Sequence, residues 1–244
     1  MRNPDWIVPD WPAPANVRAL VTTRAGGVSA GAWNSMNLGL HVGDDPDAVQ
    51  RNRRILREFL PAEPAWLDQV HGRAVVDAST IVRPVAADAS FATEPGVVCA
   101  VLTADCLPVL LCDQAGTVVA AAHAGWRGLA NGILEATVGA MGLVPDSLMA
   151  WLGPAIGPKA FEVGAEVREI FCDVDTKAES AFVRGVQPGK WMADLFVLAH
   201  LRLAQAGVLQ VIGGNHCTHG DGRRFYSYRR DGLTGRFASL VWLV

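Results

Sequence analysis

GVVCAVLTADCLPVLLCDQAGTVVAAAHAGWRG, residues 96–128, is the stretch on which the fold turns. Its apolar runs, Gly96 to Thr103, Val109 to Cys112 and Thr117 to Ala122, have the length of strands. They are too continuously apolar for strands with one wet face, which predicts a buried β core. The breaks between the runs carry the chemistry. Asp105 and Cys106 follow the first run, and His123 follows the third and precedes a short Gly-containing turn. Side chains set where strands give way to loops stand on a rigid scaffold. A third candidate, His71, lies upstream in Gln69-Val70-His71-Gly72.

Two imidazoles and one thiolate are borderline-soft donors that suit zinc, with copper as the competitor. Three donors leave one tetrahedral position for water or substrate, which is the catalytic rather than the structural pattern. The donors are spaced 35 and 17 residues apart and satisfy no short metal motif. Plainer readings stay open at this point. A cysteine after an apolar run is commonly a packed hydrophobe, and a lone histidine is commonly a satisfied core or surface group. A second soft cluster, Asn215-His216-Cys217-Thr218-His219, would need a tight turn to converge.

Outside this core the chain alternates helix and strand signals, which predicts a mixed α/β class. Val17 to Thr22 reads as a strand and Thr23 to Gly39 as turns. Asp45-Pro46 is a helix start, with Asp45 as N-cap, and the helix runs to about Leu60. Trp66 to Val70 and Val75 to Asp77 read as short strands around His71. Gly128 to Met141, Ala165 to Cys172 and Trp191 to Ala206 read as helices, the last stopped by Gly207. Leu148 to Leu152, Leu209 to Ile212, Phe225 to Tyr228 and Phe237 to Trp242 read as strands. No repeat, linker or composition shift divides the chain, so one domain over residues 1–244 is the economical expectation.

Bulk properties narrow the partners. Half of the 244 residues are hydrophobic, 18% are charged, and the net charge is −3, so a sizeable core is available and a polyanionic partner is not indicated. Arg229-Arg230 is followed at once by Asp231 and is no basic tract; a nucleic-acid partner is not expected. Five cysteines without paired spacing speak against a disulfide framework and for a reducing, cytoplasmic setting. Cys99, Cys112 and Cys172 sit in apolar patterns and read as packing residues. Met1 to Asp10 has no apolar core of a signal peptide. No apolar stretch reaches the roughly 20 residues a bilayer span requires, so no membrane association is expected.

Two Arg-Gly segments suit anions. Thr23-Arg24-Ala25-Gly26-Gly27 pairs a guanidinium with glycines that let backbone N–H groups approach. Gly125-Trp126-Arg127-Gly128 sets an arginine at a helix start beside His123. Each is also what an ordinary turn or loop-to-helix junction looks like. Asp105 and Gln69 are candidates to orient the donors or touch substrate, although Asp105 could equally cap a turn.

Taken together, these phrases resemble the laccase-domain family, also called the YfiH or multicopper polyphenol oxidase-like family. The shared phrases are TTRAGGVS (22–29), MNLG (36–39), QVHG (69–72), TADCLPVLL (103–111), HAGWRG (123–128), GPAIGP (153–158), FEVG (161–164) and YSYRRDGLTGR (226–236). They run in family order across nearly the whole chain. The resemblance implies a four-layer α/β/β/α fold similar to the catalytic domain of cytotoxic necrotizing factor, which uses a Cys-His pair. It implies a metal on His71, Cys106 and His123, and adds Asn37 to the substrate-binding candidates Arg24, Gln69 and Arg127. It implies purine nucleoside phosphorylase activity with some adenosine deaminase activity. An older label is polyphenol oxidase, and one branch is described as a peptidoglycan-editing hydrolase. One departure is visible: after GPAIGP many members carry a cysteine, where this chain has Lys159 and Ala160.

Four mechanisms then compete. In the first, a metal site with Arg24 and Arg127 as phosphate holders serves a purine nucleoside and phosphate, and deamination would use Asp105 as proton shuttle. In the second, Cys106 is a nucleophile activated by His123 and cleaves an amide in a cell-wall precursor. The third is copper-dependent phenol oxidation, which needs several copper sites. The fourth is a structural zinc. A monomer or homodimer fits each of them.

Overall fold

The computed structural model describes residues 5–244; the first four residues, part of the Met1 to Asp10 lead-in, lie outside the described residues. In chain order the elements are β1 (Val17–Val21), α1 (Pro46–Arg57), β2 (Val75–Asp77), β3 (Ala89–Ala92), β4 (Val98–Thr103), β5 (Leu107–Asp113) and β6 (Val119–Ala124). They continue with α2 (Trp126–Ala130), α3 (Ile133–Met141), β7 (Leu148–Leu152), β8 (Glu162–Gly164), α4 (Ala165–Cys172), β9 (Phe182–Arg184) and β10 (Lys190–Ala193). The last are α5 (Leu195–Gln205), β11 (Gln210–Gly213), α6 (Tyr228–Asp231) and β12 (Phe237–Leu243).

Two sheets stack face to face. The larger has the order β11-β7-β5-β6-β3-β2 and the smaller β1-β12-β4, while β8-β10-β9 form a small separate sheet. Strand alternation explains the layering, because successive side chains point to opposite faces. In β5, Leu107, Val109 and Leu111 face α2 to α5, while Leu110 and Cys112 face the smaller sheet. In β4, Cys99 and Val101 face the larger sheet, while Val98, Ala100 and Leu102 face α1 and the Met36–Leu38 turn. Strands with two buried faces cannot afford a polar side, and every residue of β4, β5 and β6 is buried. The result is the expected α/β/β/α order, with one apolar layer in each of its three seams.

Several elements differ from their sequence reading. Trp66 to Val70 makes an isolated bridge, Asp68 to Ala86, rather than a strand, and Ala65 just before it bridges Cys99. Its backbone N–H groups at the far end turn toward Asp88 instead of a neighbouring strand. The helix expected over Gly128 to Met141 is two helices, broken by Gly132 at φ +85°. The helix expected from Trp191 starts at Leu195, because the Asp194 side chain caps Phe196 and Val197 N–H; Trp191 is a strand residue. Phe225 to Tyr228 is no strand: Ser227 caps the short helix α6 there. The Asp45 cap with Pro46 behind it stands as expected, and α1 ends at Arg57.

Candidate metal and catalytic site

Sheet register assembles the site. In the β5–β6 hairpin Leu107 pairs with Ala124 and Pro108 with His123. Cys106, one residue before β5, therefore faces Gly125, one residue after β6. That approach demands a glycine, since a Cβ on Gly125 would lie 2.7 Å from Cys106 Sγ. Across the other edge of β6, Ala89 pairs with Ala122. This sets Asp88 beside His123, whose backbone N–H donates to the Asp88 carbonyl at 2.7 Å.

Asp88 is the hub of the site. Its side chain is fully buried. One carboxylate oxygen accepts His71 N–H at 2.9 Å and His123 Nδ1–H at 2.8 Å. The other accepts Gly72 N–H at 2.6 Å and Val70 N–H at 3.2 Å. Three successive N–H groups closing on one anion form a nest. The nest holds His71 at φ +60°, a conformation that a non-glycine residue avoids. With Nδ1 engaged, His123 presents Nε2 to Cys106.

The donor atoms of His71, Cys106 and His123 lie within 4.8 Å of one another. Cys106 Sγ is 3.7 Å from His71 Nε2, and the two imidazole rings meet edge to face with centroids 4.7 Å apart. Zinc–sulfur and zinc–nitrogen bonds separate tetrahedral donors by about 3.5 Å. The set fits such an ion by donor chemistry and by spacing. Charge is already arranged for it. Burial opposes a thiolate at Cys106, but the charge of His123 and hydrogen bonds with both imidazoles outweigh it and bring the pKa down to about 6. Burial likewise opposes the His123 cation, and the Cys106 thiolate and Asp88 raise its pKa to about 9. For Asp88 itself burial works against the anion, while the bonds to His123, Gly72 and His71 hold its pKa below the usual carboxylate value.

The cluster opens into a cavity of about 520 Å³, a size suited to a small ligand. Gln69, Asp105 and Arg127 line it with the three donors. Gln69 clamps the Leu102 backbone, donating to its carbonyl and accepting its N–H, both at 2.8 Å. Asp105, at φ +94°, has both carboxylate oxygens engaged, by Thr218 Oγ1 at 2.6 Å and Arg229 N–H at 2.7 Å. Arg127 lies over the Trp126 ring at 4.5 Å. Arg24 and Asn37 are not in the lining. Arg24 donates to the Asn34 and Gly222 carbonyls and lies over Tyr226. Asn37 is fully buried and accepts from Gly39 N–H and Arg236 N–H. The second soft cluster does not assemble among the described residues. Cys217 Sγ instead accepts N–H groups of Gly157 and Gly220, at 3.2 and 3.3 Å.

Sequence reasoning missed Asp88, and also His41, Phe161, Tyr228, Arg229 and Arg236 in the lining. Asp88 had one signal, a lone carboxylate in the small-residue run Ala86-Ala87-Asp88-Ala89-Ser90. A second cavity, between Trp6, Trp11, Phe59 and Trp242, contains none of these donors.

An α/β/β/α scaffold carrying two imidazoles and a thiol at a strand-edge cavity defines a class with a candidate mononuclear metal centre. The chain belongs to the multi-copper polyphenol oxidoreductase laccase family, whose model matches residues 18–244. It is 60% identical to a purine nucleoside phosphorylase of Pseudomonas aeruginosa over 98% of both chains. It is 54% identical to purine nucleoside phosphorylase YfiH of Escherichia coli strain K12, again over 98% of both. A crystal structure of a Neisseria meningitidis protein, described by the family model DUF152, superposes with TM-score 0.95 at 55% identity, covering 98% of this chain and 99% of that one. YlmD from Geobacillus stearothermophilus superposes with TM-score 0.89 at 30% identity, covering 100% and 97%.

Proposed function

We propose that this chain is a metal-assisted purine nucleoside phosphorylase. It would convert adenosine, inosine or guanosine plus phosphate into free base and ribose 1-phosphate. The observation that carries this reading is the cavity, in which a His-Cys-His cluster lies beside arginines and two aromatic rings. Relatives bearing that name over the whole chain length support it. His71, Cys106 and His123 would hold zinc, with copper as competitor. Bound there, the ion supplies Lewis-acid stabilisation of developing charge.

The chain's own residues do the rest. Phe161 and Tyr228 line the cavity and would pack against a purine. Arg127, Arg229 and Arg236 line the cavity and supply guanidinium groups for an oxyanion. A phosphate oxygen bonds to ribose C1′ while the bond from C1′ to the base breaks, and its electron pair leaves with the purine, which takes up a proton. Asp105 is a positioning residue in this scheme, since both its oxygens are engaged by Thr218 and Arg229. Any adenosine deamination would therefore draw its proton from another group. Unpaired cysteines support a reducing, cytoplasmic setting. Among the described residues no helix is long and apolar enough to cross a membrane.

One observation favours a second reading. Cys106, His123 and Asp88 also line up as nucleophile, base and orienting carboxylate, the arrangement of a thiol hydrolase. Phenol oxidation has less support, because it requires several copper centres and the described residues assemble one donor cluster. Product analysis with each purine nucleoside, in phosphate and in phosphate-free buffer, tests the proposal. Ribose 1-phosphate formed only with phosphate, and lost on chelation, is expected. Equal turnover in both buffers with hydrolysis products alone would favour the hydrolase.

A further inference from the structure

We propose that Arg236, seconded by Arg229, forms the oxyanion subsite of this cavity and receives inorganic phosphate. The inference deepens the phosphorylase reading and rests on it for the identity of the anion.

The cavity lining holds three arginines, Arg127, Arg229 and Arg236, and one carboxylate, Asp105. Asp105 is already engaged by a hydroxyl and a backbone N–H. Among the described residues no carboxylate lies within ion-pair distance of the three guanidinium groups, whereas Arg168, Arg202, Arg224 and Arg230 each have one. Arg127 and Arg229 are exposed and water can serve them, but Arg236 is half-buried, and there a cation without a counter-ion is costly. Here the cost is met at the edge of a cavity large enough for a small substrate, the arrangement expected where a mobile anion completes the pairing.

Arg236 is the best built of the three. Its backbone N–H donates to Asn37 Oδ1 at 2.8 Å. Its stem lies so close to Gly39 that a Cβ there would meet Arg236 Cγ at 2.9 Å. Its Nη1 donates to the Thr234 and Gly235 carbonyls at 3.1 and 2.9 Å. These bonds fix the plane of the guanidinium and leave the Nε and Nη2 edge for a bidentate acceptor, the geometry that matches phosphate. Burial works against the Arg236 charge, and Cys106, Asp105 and Tyr228 are near enough to favour it. Arg236 lines the same cavity as His71, Cys106 and His123. Arg229, the second residue of α6, is anchored by its N–H on Asp105 and donates from Nη1 to the Glu162 carbonyl at 2.9 Å. This also explains why Asn37 and Gly39, outside the lining, belong to a phrase shared with the family: they seat Arg236. Arg24, by contrast, is tied to backbone carbonyls and stacked on Tyr226.

The test measures inorganic phosphate binding to the metal-loaded protein by titration calorimetry, for the unaltered chain, Arg236→Lys and Arg229→Gln. Arg236→Lys keeps the charge and loses the fork, and should weaken phosphate by about tenfold or more, with a parallel rise in KM for phosphate and little change in KM for nucleoside. Arg229→Gln, on an exposed side chain, should weaken phosphate by about threefold to tenfold and covers the case in which Arg236→Lys folds poorly. No phosphate binding to the unaltered protein, or binding within twofold in both variants, would overturn the subsite. Phosphate binding lost in Arg236→Lys, in a protein that cleaves nucleosides without phosphate, would keep the subsite and remove the phosphorylase reading.

Discussion

Asp88→Asn isolates the hub of the site with the smallest change of shape. Each carboxylate oxygen accepts two N–H groups, His71 and His123 on one, Val70 and Gly72 on the other. An asparagine has one carbonyl and one NH₂, so either flip leaves two buried donors facing a donor. If the NH₂ faces Val70 and Gly72, two backbone groups lose their acceptor, at about 1–3 kcal/mol each. If it faces His71 and His123, the imidazole can accept at Nδ1 only by moving its proton to Nε2, which removes the lone pair turned toward Cys106. The two escapes fail in different ways, and both weaken metal binding. We expect a stability loss of about 2–4 kcal/mol in urea unfolding followed by tryptophan fluorescence. Zinc affinity, measured by competition with a chromophoric chelator, should fall about 10–100-fold. An Asp88→Asn protein with zinc affinity within threefold of the original and an unchanged unfolding midpoint would refute the reasoning.

Three further outcomes follow from particular contacts. Gly125→Ala places a methyl 2.7 Å from Cys106 Sγ; the protein should fold but retain little zinc by elemental analysis, and full retention would mean that the hairpin can splay. In metal-stripped protein, Cys106 should react with iodoacetamide at a rate that rises as pH climbs through about 6, because the thiolate is the nucleophile. Cys99 and Cys112, pushed by burial up to about 12, should stay unlabelled until the protein unfolds, as peptide mapping would reveal. Asp113 accepts N–H groups of Ala115, Thr117 and Val118 across the β5–β6 turn; burial opposes its charge, but the bonds from Val118 N–H and from the N–H and hydroxyl of Thr117 hold its pKa below the usual carboxylate value. A depressed folded pKa means that its stabilisation is complete above the unfolded value and is lost as pH falls through the folded one. Asp113→Asn should therefore flatten the acid limb of a stability–pH curve, and an identical limb would sink the assignment.

What the chain discloses in advance follows its physics. The buried strands were legible because two hidden faces force apolar continuity over six or seven residues, as in β4 and β5. Short strands such as β8 and β10, three and four residues long, carry too little pattern to be seen. In the second case the apolar Trp191 and Met192 ran into a true helix. His71, Cys106 and His123 stood out because their residue types are rare donors in suggestive phrases. Asp88 and Arg236 did not, since their roles depend on pairing across strands and on the seat made by Asn37 and Gly39, far away in sequence. For Arg24 the sequence shows the arginine beside two glycines that suggests an anion, but not the backbone carbonyls of Asn34 and Gly222 that it meets in the fold.

The nest around Asp88 also bears on how such a centre would be supplied. Two of its donors sit on one hairpin, and the third is tethered by a carboxylate that the protein itself provides. The contacts that position the donors are made within the chain, by strand pairing and by Asp88. A site tied in this way predicts little ordering of the chain on zinc uptake, unlike small zinc modules in which capture and folding are one event, and far-UV circular dichroism should coincide with and without zinc. Stability gained from the ion should grow only with the logarithm of its free concentration. On that reading the fold and the metal centre are separable, so that chelation should abolish activity at little cost in structure.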